Sequence, residues 1–210
     1  PRAPADLPGY PFGPYARREM PAQEHVFITG ATVWTAGPDG IIEDGEVELS
    51  GGKIVYVGRS RGVPSAGEGV RVIDAKGKHV TPGIIDCHSH TGISGGVNES
   101  GMAITAQVRI GDVTNPDAIN WYRQLAGGVT CVNNLHGSAN PMGGQNQVNK
   151  VRWGVASPEE LHFEGAPSGI KFALGENVKQ SNWGDSFTTR YPQSRMGVET
   201  IMRDRFLAAR

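Results

Sequence analysis

Val80-Thr-Pro-Gly-Ile-Ile-Asp86-Cys87-His88-Ser89-His90 is an apolar run that ends in a histidine pair, and its reading decides the fold. It reads as a buried strand with a metal site at its mouth. Alternate strand residues point to one face, so the imidazoles of His88 and His90 project together while Ser89 points away. Imidazole is the commonest protein ligand for zinc and similar ions, and two from one rigid strand fix half of a coordination shell. Asp86 shares their parity one layer below. There a carboxylate either orients a metal-bound imidazole or serves as a hydrogen-bonded core aspartate.

Outward from this strand, the chain alternates between strand and helix. Residues 115–126 read as a helix with Asn115 as N-cap, Pro116 at N1 and Gly127 as terminator. Residues 128–135, rich in Val and Thr, are the second strand. Further strands are expected over 145–153, around 162–164 and over 169–174, and a helix over 198–209. Strand, helix, strand order indicates an α/β fold with a parallel sheet. Upstream, residues 26–79 carry short β-type runs broken by turns at Pro38-Asp39-Gly40, Asp44-Gly45 and Gly51-Gly52, which read as a small antiparallel β domain. Residues 1–25 hold prolines at 1, 4, 8, 11, 14 and 21 and no hydrophobic period. They read as an extended arm anchored by Tyr10, Phe12 and Tyr15.

In the strand over 169–174, Lys171 shares its face with Gly169, Ala173 and Gly175 and is the only large group there. A lone ammonium inside a folded core is expensive to desolvate, so it should be neutralised, paired or converted, or its stem should snorkel to the rim. Lys179 lies in a polar loop and reads as solvated.

The motif VTPGIIDCHSHTG (80–92) closely resembles the first barrel strand of the amidohydrolase superfamily, whose Pro-Gly-apolar-apolar-Asp-x-His-x-His signature supplies two metal ligands. GSANPMGGQ (137–145), GIKFALGENVK (169–179) and RYPQSRMG (190–197) are similar to the branch that includes imidazolonepropionase-like proteins and metal-dependent prolidases. The resemblance covers most of residues 26–210, and its first motif is the most specific part. It implies a (β/α)8 TIM-type barrel flanked by a small β domain. His88 and His90 then become metal ligands for a divalent ion, zinc favoured, with one or two ions per complete site. It also implies that Lys171 reacts with carbon dioxide to give a carbamate shared by two metals, and that a metal-activated hydroxide attacks a C–N amide bond of a cyclic amide or dipeptide-like substrate.

A complete barrel needs about 250 residues, and residues 91–210 are about half of that. The expectation is therefore the first half of a barrel, 80–210, preceded by the β domain. An open half-barrel exposes strand edges, so the expected partner is the C-terminal half as a separate or cleaved chain. In the resembling enzymes two histidines on the fifth and sixth strands and an aspartate on the eighth complete the shell. No histidine follows Arg195, so the general base is expected outside this chain.

Candidate substrate contacts are His136, where the second strand ends, and Arg190 and Arg195, which with Tyr191 could clamp a carboxylate. An ordered loop is the alternative for each. Gly143-Gly144-Gln145-Asn146 offers either close backbone N–H groups or a plain tight turn. His25, His79 and His162 have no partner at ligand spacing. Two alternatives to the leading function stay open: a one-metal deaminase or imidazolonepropionase-like enzyme with Lys171 unmodified, and a non-catalytic binding or structural subunit that keeps the strand motif.

Composition excludes several classes. A net charge of −1 gives no basic stripe for nucleic acid, and no run approaches the length of a membrane span. Thirty glycines, about twice the average usage, fit many tight turns. Two cysteines, Cys87 and Cys131, are expected as buried thiols rather than a disulfide. The start at Pro1 without Met is expected for a processed chain or an excerpt of a longer product, with an exported compartment slightly favoured. Oligomerisation stays open.

Overall fold

The computed structural model describes residues 22–62, 69–99, 101–181, 183–185 and 190–210. Positions up to 21, including Tyr10, Phe12 and Tyr15, lie outside the described residues, and His25 already opens the first strand. The chain divides into two compact units, Pro1–Gly83 and Ile84–Arg210.

The first unit is one five-stranded sheet. Its strands are β1 (His25–Trp34), β2 (Ile41–Ser50), β3 (Lys53–Arg59), β4 (Val70–Asp74) and β5 (His79–Val80). β1 to β2 and β2 to β3 are antiparallel hairpins. Gly51-Gly52, with φ of 57° and 73°, makes the two-residue turn of the second hairpin. β4 and β5 instead run parallel to β1, so the sheet is mixed and not antiparallel as expected. The reason is connection length: residues 60–69 are too many for a hairpin turn, and the chain returns beside β1 in the same direction. Asp44-Gly45 is likewise no hairpin turn; it sits inside β2, where the register with β1 shifts. Ala31, Val33, Val47 and Ala75 form the core, backed by Ile28, Ile42, Leu49 and Val80. Buried Glu46 accepts hydrogen bonds from Ser60 and Arg61, while Glu48 joins Arg61 to His25. His79 accepts from the Trp34 indole.

The second unit contains β6 (Ile84–Ser89), α1 (Ile119–Ala126), β7 (Val129–Asn134), β8 (Met142–Gln145), β9 (Gln147–Lys150), β10 (Ile170–Phe172) and α2 (Arg195–Ala208). β6, α1 and β7 form one strand–helix–strand crossover, with β6 and β7 parallel. Its packing centre is Trp121 of α1, fully buried against Val132, Val151 and Leu161. The indole N–H donates to the Asn115 carbonyl at 2.7 Å. A Cβ on Gly92 would lie 2.3 Å from that indole, so the loop after β6 packs on it without a side chain. The helix starts later than expected, with Ala118 as N-cap, because the Asn115 carboxamide accepts from the Asp117 N–H instead. α2 starts earlier than expected because the Ser194 hydroxyl caps it, accepting from Gly197 N–H.

The strand expected over 145–153 is broken at Asn146. β8 pairs antiparallel with β10, and β9 pairs antiparallel with β7, giving sheets β10-β8 and β6-β7-β9. No helix lies between β7 and β9, and without a crossover a returning strand can only run antiparallel. Residues 162–164 form no strand; His162 follows a 3-10 turn at Pro158–Leu161 and makes one bridge to Asn149. The second unit is therefore mixed α/β, and among the described residues its named strands form a single parallel pair, β6 with β7. β6 is an edge strand, and its apolar residues Ile84 and Ile85 are 55% and 71% exposed rather than buried. Cys87 is exposed, correcting the expectation of a buried thiol, and Cys131 is buried; both are free. Among the described residues no helix is long and apolar enough to cross a membrane.

Candidate metal centre

The strand parity of β6 places the two histidines as a pair. Ser89 is buried and bonded to Thr91, whereas His88 and His90 are exposed with ring centroids 5.3 Å apart and ring planes at 88°. The parallel register sets Ser89 beside Asn134, and the Leu135 N–H donates to the Ser89 carbonyl. That contact brings the Leu135 carbonyl within 2.9 Å of His90 Nδ1. A carbonyl only accepts, so Nδ1 carries the proton and Nε2 of a neutral ring keeps its lone pair for a ligand.

β10 delivers Lys171 to the same place. Its Nζ lies 3.5 Å from His88 Nε2 and 3.4 Å from the His136 carbonyl, and it forms no ion pair among the described residues. Burial pushes the amine below the usual lysine range. The Lys171 charge, then burial, then His90 push His88 below the usual imidazole range, with Asp86 opposing. His88, Leu135, Ser138, Lys171 and Glu176 line an open cleft of ≈640 Å³. Asp86 accepts from the His88 backbone N–H at 3.1 Å, so its carboxylate braces the strand rather than an imidazole. Among the described residues no group of three or more His, Cys, Asp or Glu is arranged to hold a metal ion by itself.

The other sequence candidates are used by the chain itself. His136 is 2% exposed; its Nδ1–H donates to Gly137 O and its Nε2 accepts from Glu99 N–H, leaving no ring nitrogen for a substrate. Arg190 donates to the carbonyls of Met102 and Ala139 and to Asn140 Oδ1, so it ties loops together rather than clamping a carboxylate. Arg195 opens α2 and reaches Glu176 at 3.7 Å across an exposed surface. Tyr191 donates to the Gly197 carbonyl. Lys179 is paired with Glu176 at 2.6 Å rather than freely solvated. Gly143 and Gly144 are strand residues of β8, neither turn nor ligand cradle. A Cβ would lie 2.7 Å from His136 Nδ1 at the first and 2.6 Å from the Val108 carbonyl at the second.

This chain resembles a crystal structure of an amidohydrolase from Thermotoga maritima, with 34% identity and a TM-score of 0.70 over 87% of this chain and 47% of that one. The chain belongs to the amidohydrolase superfamily. Curated relatives agree with that placement. A 5-methylthioadenosine/S-adenosylhomocysteine deaminase from Pelotomaculum thermopropionicum is 39% identical over 71 residues, 33% of this chain and 16% of that protein. An imidazolonepropionase from Rhizobium meliloti is 49% identical over 55 residues, 26% of this chain and 13% of that protein. No protein-family model matches. The chain thus spans about half of its structural relative, and the curated matches cover smaller shares.

The donor set fits a divalent ion as far as this chain carries it. Two imidazoles converge, one with its tautomer fixed, and a partly buried amine stands beside them. What sequence reasoning missed is the Leu135-His136 backbone, whose successive carbonyls face His90 and Lys171. Backbone groups leave no residue-type signal; only the strand end just before Leu135 pointed to that place.

Proposed function

We propose that this chain is the N-terminal half of a metal-dependent hydrolase that cleaves a C–N amide bond of a cyclic amide or dipeptide-like substrate. Its second unit is read as the first half of a (β/α)8 barrel. The observation that carries this reading is Lys171 Nζ at 3.5 Å from His88 Nε2 with no carboxylate partner among the described residues. His88, His90 and Lys171 would hold the metal, zinc favoured. A bound divalent ion supplies Lewis-acid polarisation of the carbonyl and acidifies water.

The chain's own residues prepare for that ion. His90 donates through Nδ1 to Leu135 O and offers Nε2. Burial favours the neutral amine of Lys171. A neutral amine can add to carbon dioxide, forming an N–C bond and releasing one amine proton to solvent, and the resulting carbamate anion balances added cations. The general base is placed on a further polypeptide segment, the C-terminal half of the barrel. The exposed Ile84 and Ile85 on the β6 edge support such a covering segment, since parallel strands are normally buried on both faces.

The names of the curated relatives favour a second reading: a one-metal deaminase or imidazolonepropionase-like site with Lys171 unmodified. Metal counting on the assembled protein, with carbon-13 NMR after labelled bicarbonate, separates the two. Two ions and a carbamate resonance support the first; one ion and a free amine support the second. If the assembled protein hydrolyses no amide and a chelator changes nothing, a binding or structural subunit is the remaining reading.

A further inference from the structure

We propose that His136 is a positioning residue for this centre. Its buried ring locks the Leu135-His136 backbone, and the two successive carbonyls of that backbone set the tautomer of His90 and the place of Lys171. The proposal rests on the reading of His88, His90 and Lys171 as metal ligands. It adds a residue that touches neither metal nor substrate.

The imidazole of His136 makes two hydrogen bonds, one to Gly137 O and one from Glu99 N–H, both at 2.8 Å. It therefore ties the end of β7 to the loop after β6. The ring fits only because Gly143 lacks a side chain, which would come within 2.7 Å of Nδ1 and 3.0 Å of Cγ. With the ring held on both sides, the peptide units of Leu135 and His136 have little freedom. Leu135 O then meets His90 Nδ1 at 2.9 Å and His136 O meets Lys171 Nζ at 3.4 Å. Partners that orient ligating histidines through their second nitrogen typically contribute about 10- to 100-fold in metal affinity. Here the partner is a carbonyl, and a residue at the next position fixes it.

The test uses the full protein and begins without metal. Nitrogen-15 NMR of the histidines should find wild-type His90 with its proton on Nδ1; a proton on Nε2 overturns the proposal, whatever any variant does. His136→Leu and the milder Gly143→Ala should each convert His90 to a tautomer mixture and weaken Co2+ binding by about 10-fold or more. His136→Gln, which can still accept from Glu99 N–H, should restore most of both. Thr105→Val removes a buried hydroxyl bonded to the Met142 and Gly143 carbonyls, and it should leave tautomer and affinity unchanged. Should whichever of His136→Leu and Gly143→Ala folds keep both values, or Thr105→Val lose them equally, His136 merely orders its loop. The parent reading fails separately, when His88→Ala and His90→Ala bind Co2+ as wild type does; the metal-free tautomer still decides the role of His136.

Discussion

Lys171 Nζ and His88 Nε2 stand 3.5 Å apart with no carboxylate paired to the lysine among the described residues. Two cations at that separation repel each other, so at least one is held neutral. Both groups are pushed toward the neutral form, His88 first by Lys171 and Lys171 by burial. His88 therefore keeps its ring lone pair more readily than an ordinary imidazole does.

Removing the lysine charge should therefore release the histidine. Lys171→Met is expected to move the His88 pKa up toward the usual imidazole range, because its largest depressing cause is gone. A proton NMR titration of the metal-free protein reads this directly. An unmoved or lowered value would mean that Lys171 is already neutral in the wild type.

Chelation should abolish amide hydrolysis by the assembled protein, and zinc should restore it. His88→Ala and His90→Ala should each weaken metal binding by 100-fold or more, on the order of 3 kcal/mol, since each deletes a proposed ligand. Isothermal titration calorimetry with zinc measures the loss.

The first unit should lose stability in acid through Glu48. Hydrogen bonds from Arg61, then His25, hold its carboxyl below the usual carboxylate range. Its folded pKa lies below its unfolded one, so the contribution is complete above the unfolded pKa and is lost as pH falls through the folded pKa. Melting curves of wild type and Glu48→Gln should differ most near neutral pH and converge as pH falls through the folded pKa of Glu48. A gap that persists in acid would assign the effect to packing.

Gly92→Ala should destabilise the second unit by about 3 kcal/mol. The new Cβ meets the Trp121 indole at 2.3 Å, and the backbone there has φ +68°. Urea unfolding followed by tryptophan fluorescence gives the value. A loss under 1 kcal/mol would show that the loop slides off the indole at little cost.

Covering the β6 edge should matter in the assembled protein. Ile85→Lys, at a position 71% exposed in this chain, should increase the solubility of the isolated 210-residue chain and prevent stable assembly with a C-terminal segment. Co-purification before and after the substitution tests both.

The histidine pair was legible because strand parity is a local property: a period of two set His88 and His90 on one side and Ser89 on the other. Lys171 was legible for the same reason, as the one long side chain on its face. For His136, Arg190 and Arg195 the sequence left substrate contact and loop ordering open, because residue type does not show that Gly137 O, Glu99 N–H, the Met102 and Ala139 carbonyls, Asn140 Oδ1 and the Glu176 carboxylate lie within their reach. Asp86 was read either as an imidazole brace or as a hydrogen-bonded aspartate, and it accepts from the N–H two residues along its own strand. The course of the sheets failed at residues 142–150, where pairing partners separated by long loops determine direction and composition does not.

The break at Asn146 carries one last consequence. This single residue joins β8, which is paired to β10 and hence to Lys171, with β9, which is paired to β7 and hence to Leu135. Its N–H donates to Gly169 O and its carboxamide to Asn133, so it is pinned to both sheets. Because side chains alternate with each residue, adding or deleting one amino acid here would invert one sheet's phase against the other. The lysine would then turn its back on the histidine it now faces. Asn146 works as a ruler one residue long, and the spacing it keeps matters more than its chemistry.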